Sequence, residues 1–598
     1  MLHERRRSPF PADLLIRVGI AWVLVTLMLV AVHAMNVPTY RSMGPDDMLR
    51  LVQVRDLVEG QGWFDLRQTR LDATNGGVPM HWSRLVDIPL VLMILALTPI
   101  LGAGAAEVAA VMIVPLVTLG IALLLTARIA SRLLGDEEVT LTCLIFALSI
   151  PVLFQLGPMR IDHHGWQIVC VLAAMNGLMA RSPRLGGLII GAAMANWLAI
   201  SIEGLPMAVA FFAVLAFRWL RDRGDRVYLQ SAIQSLAVMS AVFFVATRGF
   251  SDLASHCDAI SPIHLALFGW GALVLTILAR LEPIPRGLVL AGFAVAGGGA
   301  LGMMLFSAPQ CVTGGGFAEL DPLVAEFWHA NVDEGMPIWQ QELKIALQFG
   351  VTPAFGLFAA INLAARSRDW LRRFWSDYAI LLAAAFVTSL LVARAGAVAC
   401  VLAAPPLAWQ VRSWLRAIRL MDQPWRRASA MLGVACALLP VLPLTFLTSA
   451  QKAQAAFGGP AVAPEPKRVS DCRIAETALL LKDLPPGEMY APLDLAPRLL
   501  LATPHRLIAS GHHRGSDAMR LVIEIAVGSP DDARQILSDR GTRYVAVCTD
   551  LGEPALYQQS APDGFMARLI ADEPQLDWLE PLPVAPGSTL RAWRIKPE

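Results

Sequence analysis

The stretch LLIRVGIAWVLVTLMLVAVHA, residues 14–34, is a long apolar run that follows the basic start MLHERRRSPF. A helix needs about 20 apolar residues to cross the hydrocarbon core of a bilayer, and this run is of that length. The start resembles a signal peptide, but no small-residue cleavage site with a soluble mature chain follows it. We therefore expect an uncleaved first membrane helix whose N-terminus lies in the cytoplasm.

The composition of the whole chain agrees with a membrane protein. Of its 598 residues, 56% are hydrophobic and only 16% are charged, which is outside the range of soluble domains. No basic stretch is interleaved with aromatic residues, so nucleic acid is not expected as a partner. The predicted fold class is an α-helical polytopic membrane protein.

Clusters of arginine separate the later apolar runs. Because short loops rich in Lys and Arg stay in the cytoplasm, each cluster is placed inside. This placement predicts about thirteen transmembrane helices in the inner (cytoplasmic) membrane. It requires that residues 88–101 (IPLVLMILALTPIL), a short run interrupted by Pro99, be interfacial or re-entrant rather than a full crossing. The clusters are Arg128–Arg132, Arg181–Arg184, Arg218–Arg226, Arg280–Arg286, Arg366–Arg373 and Arg412–Arg427.

The character of the chain changes near residue 449. AQKAQAAFGGPAVAPEPK (450–467) is typical of a linker or surface segment. After it, SPDDARQILSDRG (529–541) predicts a capped helix that begins near Ser529 or Asp531, and RYVAVC (543–548) and TLRAWRI (589–595) predict strands. We therefore expect two domains: a transmembrane domain over 1–448 and a soluble α/β domain over 449–598 in the periplasm. Within that second domain, Cys472 and Cys548 are candidates for a disulfide if the compartment is oxidising.

Two polar clusters fall in the early external loops. Asp46 and Asp47, in MGPDDMLRL (43–51), stand at the head of a predicted amphipathic helix, where helix capping alone would explain an aspartate. Asp162, His163 and His164 lie in RIDHHGWQ (160–167), between two predicted spans. An Asp and a His two positions apart on a short loop can chelate one cation, and a further Asp from another loop would complete an oxygen/nitrogen site for Mn²⁺ or Mg²⁺.

Two further features lie later in the chain. The longest external loop, DPLVAEFWHANVDEGMPIWQ (321–340), carries Glu326, His329, Asp333 and Glu334, most of which a solvated loop would explain. Arg394 stands alone within the apolar segment SLLVARAGAVACVLAAPP (389–406). Because a lone arginine there is costly unless it is paired or faces an aqueous cavity, we expect a functional role, with a lipid phosphate as its natural partner.

Taken together, these residues resemble the catalytic subunit of oligosaccharyltransferases, within the GT-C class of membrane glycosyltransferases. GPDDMLRL (44–51) is similar to the first-loop aspartate motif, with Asp46 the better fit and Asp47 an alternative. RIDHHGWQ resembles the second acidic motif in its archaeal form, which implies Asp162 and His164 as metal ligands. NVDEGMP (331–337) resembles the fifth-loop motif and implies that Glu334 is its glutamate. The segment around Arg394 resembles the one whose arginine binds the lipid pyrophosphate.

The resemblance implies a metal-assisted enzyme that moves a glycan from a polyprenyl-(pyro)phosphate-linked donor in the membrane lipid to an acceptor on the outer face. Asp46, or Asp47 as the alternative, would bind the metal with Asp162 and His164 and would also act on the acceptor nucleophile as a base, while Glu334 would help to close the site and position the acceptor. The Trp-Trp-Asp-Tyr-Gly acceptor motif of the family is missing. The corresponding region, YAPLDLAPRLLLATPHRLIASGHHRGSDAM (490–519), keeps Asp494 but neither the tryptophans nor the Tyr-Gly. The acceptor is therefore open among a protein, a glycolipid and a polysaccharide, and His512 and His513 either touch it or are surface residues.

Two alternatives remain open from the sequence. The first is a GT-C enzyme that transfers a single sugar from a polyprenyl monophosphate to a lipid or polysaccharide. The second, from a different class, is a transporter or flippase of lipid-linked glycans. A flippase predicts charged residues near mid-membrane and internal symmetry, whereas the ionisable residues of this sequence lie mostly at the outer boundary.

Overall fold

The computed structural model describes residues 10–34, 40, 43–250, 252–313, 317, 320–456, 470–481, 483–571 and 576–597. The predicted linker at 450–467 lies mostly outside the described residues. The helices, in chain order, are α1 (Ala12–His33), α2 (Pro45–Val58), α3 (Arg84–Leu101), α4 (Ala103–Leu133), α5 (Asp136–Leu148), α6 (Ile150–Leu156), α7 (His164–Leu178), α8 (Pro183–Ile200), α9 (Leu205–Arg221), α10 (Arg226–Thr247), α11 (Pro262–Arg280), α12 (Arg286–Ser307), α13 (Pro309–Thr313), α14 (Pro322–Phe327), α15 (Leu343–Arg366), α16 (Asp369–Leu391), α17 (Gly396–Arg419), α18 (Pro424–Leu438), α19 (Leu442–Ala456), α20 (Ile474–Leu481), α21 (Ala496–Ala502), α22 (Ser516–Val527), α23 (Pro530–Arg540), α24 (Gly552–Ser560) and α25 (Phe565–Ile570).

Seven strands accompany the helices. They are β1 (Arg67–Gln68), β2 (Val78–Pro79), β3 (Glu488–Tyr490), β4 (Arg506–Leu507), β5 (Tyr544–Cys548), β6 (Leu579–Pro581) and β7 (Leu590–Ile595). The chain forms two compact units. The first, the membrane unit, comprises Met1–Met35, Ser83–Gly315 and Asp333–Val462, and the second, the sheet unit, comprises Asn36–Trp82, Gly316–Val332 and Ala463–Glu598.

The membrane unit confirms the predicted polytopic fold class. Within the described residues, ten helices are long and apolar enough to cross a bilayer, or up to twelve if each of two bent helix pairs is one span. The sequence predicted about thirteen. The bent pairs are α5 with α6 and α18 with α19.

Residues 88–101 form part of α3, which continues through Pro89 and Pro99 as one helix. The interruption expected at Pro99 is therefore wrong, and α3 is long and apolar enough to be a span by length and composition. The packing of α1 against α4 indicates whether the chain changes sides of the membrane at α3. Arg17, near the start of α1, donates to the carbonyl of Asp136, just beyond the end of α4, and Trp22 donates to Leu116 earlier in α4. The helices α1 and α4 are therefore antiparallel, so the segment between them begins and ends on the same side of the membrane. This supports the interpretation that the chain does not change sides at α3.

Small residues set the closest helix packing of the membrane unit. Along α8, a Cβ added at Gly187 or Gly191 would collide with the backbone of α10 around Tyr228 and Ala232. Helices in lipid gain little from burying apolar surface, so close backbone approach at small residues is a main source of their association. The RLGGLIIG run (184–191) thus explains why α8 and α10 lie side by side.

At the Arg-rich ends of the helices, a buried ion pair joins α9 to α16. The Asp377 carboxylate lies 2.6 Å from Arg218 Nε and 2.6 Å from Arg221 Nη2, and its side chain is 1% exposed. Replacing Asp377 by asparagine leaves two guanidinium groups without their charge partner, so we expect a loss of about 3 kcal/mol in the free energy of unfolding. Thermal or denaturant unfolding in detergent measures this loss.

The matched control for Asp377→Asn is Asp222→Asn. Asp222 pairs with Arg373 at 3.5 Å, and both side chains are more than half exposed. An exposed pair of this kind contributes less than about 1 kcal/mol. Equal losses in the two variants would contradict the structural role of the buried pair.

The sheet unit contains a five-stranded sheet in the order β4-β3-β5-β7-β6. β3 is parallel to β4 and β5, while β7 is antiparallel to β5 and β6. Along β5, Val545 and Val547 belong to one buried cluster, with residues of α22 and α25, and Tyr544, Ala546 and Cys548 to another, with residues of α2 and α21. The sheet is therefore covered on both faces, which agrees with the predicted α/β character and with the two predicted strands.

Local predictions in the sheet unit also agree with the structure. Ser529 caps α23 by accepting from the N–H of Asp532, and Gly541 ends it with a φ of 73°. Cys472 and Cys548 form a disulfide, with Cα atoms 5.8 Å apart. A second disulfide, Cys257–Cys311, lies in the membrane unit with Cα atoms 5.1 Å apart. The placement of a soluble domain after residue 449 in the periplasm stays a prediction.

Candidate active site

Asp162, His163 and His164 form a buried cluster at the start of α7. Their side chains are each less than 10% exposed. The Asp162 Oδ1 atom accepts from the backbone N–H of His163 at 2.6 Å, while Oδ2 lies 3.3 Å from His164 Nε2. One ligand atom from each residue lies within 4.8 Å of the other two. This set of one carboxylate and two imidazoles is suited to a divalent metal ion.

Arg394 lies in the same unit, in a break between α16 and α17. Its Nη2 atom is 2.7 Å from Glu203 Oε1, and its Nη1 atom is 3.8 Å from Glu334 Oε1. The Arg394 side chain is 19% exposed, whereas Glu203 and Glu334 are 35% and 40% exposed. The lone arginine of the sequence is thus paired with two half-exposed carboxylates.

Arg394, Glu203 and Glu334 lie in short turns between the long helices. Val392 is extended and Ala393–Ala395 form a 3-10 turn, so α16 stops before the arginine. A Cβ added at Gly396 would collide with the Phe349 ring, which makes glycine necessary where α17 begins. The N–H of Ala393 donates to the carbonyl of Met336 at 3.0 Å, which holds the arginine loop against the loop that carries Glu334. Glu203 comes from a 3-10 turn, Ile202–Gly204, between α8 and α9.

The Asp162 cluster interacts electrostatically with the carboxylates that pair with Arg394. The charges of Glu203 and Glu334 act on His164, and that of Glu203 is also coupled to Asp162 and His163. With neutral histidines, three carboxylates and one guanidinium leave an excess of negative charge. A cation at the Asp162 cluster would reduce that excess, and the guanidinium of Arg394 offers several N–H donors to an anionic oxygen.

The predicted site residues are divided between the two units. Asp162, His164, Glu334 and Arg394 all belong to the membrane unit, where Arg394 pairs with Glu334 and the charge of Glu334 reaches His164. Asp46 and Asp47 belong to the sheet unit, so their metal and catalytic roles stay predictions.

The structure distinguishes Asp46 from Asp47. Asp47 is 1% exposed, and its Oδ2 atom accepts from the N–H of Gly44 at 3.0 Å, as in a capping box. Asp46 is half-buried in the first turn of α2. The capping alternative therefore applies to Asp47, which favours Asp46 for any role in chemistry.

Sequence reasoning missed Glu203 and passed over His163. Glu203 lies in a four-residue loop between two apolar runs that the charge pattern predicts to be external. The argument used for Arg394 applies to it equally: an ionisable group at a membrane boundary needs a partner. His163 was quoted with its neighbours but not chosen as a ligand. The centroid of its ring lies 4.3 Å from that of the His164 ring, with the two rings tilted, and its Nδ1 atom contacts Asp162.

Other residues singled out in the sequence lie elsewhere. Glu326 and His329 belong to the sheet unit, where α14 and the turn after it contribute to the buried cluster around α22. Asp494 is exposed, and its N–H donates to Glu553 Oε2 at 2.8 Å. His512 and His513 also belong to the sheet unit, and His512 is buried rather than a surface residue.

An apolar groove of about 640 Å³ opens in the membrane unit near the Glu334 loop. It is lined by Ile338, Trp339 and one face of α15 from Ala346 to Phe358. The lining positions on α15 recur every three or four residues, so they form one stripe along the helix. Ile338 follows Glu334 by four positions, so one end of the groove is close to Glu334 in the sequence.

The chain shares its fold with an archaeal oligosaccharyltransferase, as the comparison with solved structures shows. Three similar structures are of the oligosaccharyltransferase AglB from the archaeon Archaeoglobus fulgidus. One is in complex with an inhibitory peptide and a dolichol-phosphate (TM-score 0.63), and one is tethered to an acceptor peptide containing the NVT sequon (0.61). The third contains Zn and sulfate (0.57).

Each of these three is 14% identical to this chain. The aligned region covers 89% of this chain for the first two and 90% for the third, and 69% of AglB in each case. No protein-family model matches the sequence, and no curated protein matches it by sequence. At this level of identity the likeness establishes the fold.

Proposed function

We propose that this protein is a glycosyltransferase that moves a glycan from a polyprenyl-(pyro)phosphate-linked donor to an acceptor on the outer face of the membrane. The observation that carries the proposal is the pairing of Arg394 with Glu203 and Glu334 in the same unit as the buried Asp162, His163 and His164. A guanidinium and a set of metal-ligating side chains in one unit are groups that can stabilise the charge of an anionic lipid phosphate.

The apolar groove supports a lipid-linked donor. Its lining by Trp339, Phe355, Phe358 and the stripe of α15 suits a polyprenyl chain, and it starts near the loop that carries Glu334. The AglB complex with a dolichol-phosphate is a structure of the same fold with a lipid of that class. In the proposed arrangement the polyprenyl chain lies along α15 and its phosphate faces Arg394.

The residues present fit a divalent cation. Asp162, His163 and His164 would hold it, with Asp46 proposed as a further ligand; one carboxylate with two imidazoles also fits zinc, beside the predicted Mn²⁺ or Mg²⁺. When bound, the ion would offset the negative charge on the leaving phosphate. The AglB complex with Zn and sulfate supports a cation and an anion site in this fold.

The remaining chemistry is assigned to side chains of this chain. An acceptor oxygen or nitrogen forms a bond to the anomeric carbon, and the bond from that carbon to the lipid phosphate oxygen breaks. Arg394 holds the phosphate oxygens through N–H donors, before and after the bond breaks. We assign the proton of the acceptor to Asp46 and the positioning of the acceptor to Glu334.

The arrangement of the helix ends supports an outer site. Glu203 precedes α9, while Arg218 and Arg221 end that helix, and Arg394 follows α16, whose first half carries Asp377. The candidate site and the Arg-rich pair thus lie at opposite ends of the same helices, and Arg-rich ends face the cytoplasm. The Cys257–Cys311 disulfide, which follows α10 and α12 in the membrane unit, agrees with an oxidising compartment on the site's side. We propose the inner membrane, with the sheet unit in the periplasm.

Membranes from cells that express this chain, supplied with polyprenyl-linked donors carrying a labelled glycan, test the proposal. One donor has a pyrophosphate link and the other a monophosphate link, so the assay also separates the two enzyme alternatives. We expect the label to pass from the donor to a new covalent product, and to stop doing so after chelation. A flippase would move intact donor across the membrane, and intact donor as the sole labelled species would refute the proposed enzyme.

A further inference from the structure

A second group of histidines, none of which has been given a role in glycan transfer above, lies in the sheet unit. His81 follows β2, and His512 and His513 lie in the turn before α22. One ligand atom from each lies within 4.8 Å of those of the other two, and His81 Nδ1 is 2.9 Å from His512 Nε2. The sequence separates His81 from the other two by more than four hundred positions, so only the fold brings them together.

The three rings have the spacing that a shared metal ion requires. Their centroids are 5.0 Å apart for His81 and His512, 4.8 Å for His81 and His513, and 5.0 Å for His512 and His513. With Zn–N bonds of about 2.0 Å and tetrahedral angles, the centroids of three ligating imidazoles lie about 5 Å apart. The observed triangle matches this value on all three sides.

The surroundings hold these rings in place. Trp82 is 2% exposed and meets the His512 ring edge-on at 5.5 Å, with Arg50 stacked 4.9 Å from the Trp82 ring. Phe317 packs against the His513 ring at 5.1 Å. The His512 backbone is tied on both sides, because its N–H donates to Ser510 and its carbonyl accepts from Gly515. Rings fixed in this way lose little conformational entropy on binding an ion.

We propose that His81, His512 and His513 form a binding site for a zinc-class divalent transition metal, distinct from the cation site assigned to Asp162. Three imidazoles without a carboxylate favour Zn²⁺, Ni²⁺ or Cu²⁺ over Mg²⁺ or Mn²⁺. Two ligand nitrogens on a tetrahedral zinc lie about 3.3 Å apart, so His81 and His512 need to separate by only about 0.4 Å. The ion would tie the segment after β2 to the turn before α22 and leave a fourth coordination position open.

Metal content of the full-length protein, purified in detergent with an affinity tag that contains no histidine, tests this site. The background is His163→Gln/His164→Gln, which removes the histidines of the other cluster. After removal of metal with EDTA and re-equilibration with micromolar Zn²⁺, we expect one zinc per chain in this background. Adding His81→Gln and His513→Gln should abolish it. Co²⁺ in place of Zn²⁺ should give the visible absorption of a tetrahedral nitrogen site in the background variant and lose it in the quadruple variant.

The matched control is His329→Gln in the same background. His329 is a histidine of the same unit whose ring contacts that of Phe317 at a centroid distance of 4.8 Å, but it does not belong to the cluster. We expect it to retain the zinc, and Zn²⁺ to raise the melting temperature of this control but not that of the quadruple variant. Equal zinc content with and without His81 and His513, no zinc in the background, or loss of zinc in the control would each overturn the proposal. None of these measurements depends on glycan transfer, so the outcome is independent of the proposed enzyme activity.

Discussion

Replacing Asp162 by asparagine is expected to reduce glycan transfer by about a thousandfold, because the transition state loses about 4 kcal/mol of charge stabilisation. Asparagine keeps an oxygen that can accept from the His163 N–H, as Asp162 Oδ1 does at 2.6 Å, so the turn before α7 is preserved. The change removes the charge that would bind the cation. The rate of label transfer in purified membranes, with cation restored after chelation, measures the effect.

Asp252→Asn is the matched control for Asp162→Asn. Asp252 is a loop aspartate of the same unit, with His256 Nε2 and Arg248 Nη1 each 2.7 Å from its carboxylate. It therefore has a similar mixture of partners, but it belongs to no proposed site. We expect transfer by Asp252→Asn to stay within a few-fold of the wild type. If Asp162→Asn transfers glycan as fast as this control, or if the wild type is fully active in excess chelator, the proposed cation site is refuted.

The same assay tests the first-loop aspartates. Asp46→Asn should lower transfer in the manner of Asp162→Asn. Asp47→Asn should chiefly weaken the start of α2, since the Asp47 carboxylate accepts from Gly44. The reverse pattern would assign the chemistry to Asp47.

Replacing Arg394 by glutamine should lower kcat/KM for the lipid-linked donor by about a hundredfold, equal to about 3 kcal/mol of charge-assisted hydrogen bonding. The loss should appear mainly as a higher KM for the donor, because the phosphate is present in the ground state as well as the transition state. Arg394→Lys keeps the charge but not the forked set of donors, so we expect an intermediate loss. Initial rates at varied donor concentration separate KM from kcat.

A second variant, which removes a partner of Arg394 as well, distinguishes a structural role of Arg394 from phosphate binding. In Arg394→Gln, Glu203 and Glu334 lose the guanidinium with which they pair, so stability should fall. The double variant Arg394→Gln/Glu203→Gln restores the net charge that the group has in the wild type, and it should recover thermal stability without recovering donor use. If stability and donor affinity recover together, Arg394 acts through packing rather than by binding phosphate.

Arg248→Gln provides the second control for Arg394. Arg248 is a buried arginine of the same unit, paired with Asp252 at 2.7 Å. Its loss should lower stability and leave the KM for the donor unchanged. A rise in KM equal to that of Arg394→Gln would mean that the effect is not specific to the proposed phosphate site.

Much of the architecture can be predicted from local sequence. Hydropathy over some 20 residues identifies membrane helices, because the bilayer imposes that length on each crossing. In the sheet unit, alternation predicted β5 and β7, and Ser529 with Gly541 predicted the ends of α23, since strand faces and helix caps depend on neighbouring residues. The segment 88–101 was misread in one respect: Pro99 does not end α3, which continues to Leu101 although proline cannot donate the backbone hydrogen bond to the preceding turn.

The candidate site was only partly predictable. Asp162, His164, Glu334 and Arg394 were found from their positions in the predicted external loops and from the family resemblance. Glu203 was not found, because a single glutamate in a four-residue loop has no distinguishing local pattern. Its pairing with Arg394 at 2.7 Å follows from the packing of α9 against α16.

The sequence by itself determined that this protein is a polytopic helical membrane protein with polar clusters between its apolar helices, because hydropathy and charge act locally and add along the chain. Tertiary structure alone decided which of those groups meet. It paired Arg394 with Glu203, assigned Asp47 to the cap of α2, and brought His81 within reach of His512 and His513. Contacts between distant segments depend on how whole helices and strands pack, and no window of neighbouring residues contains that information.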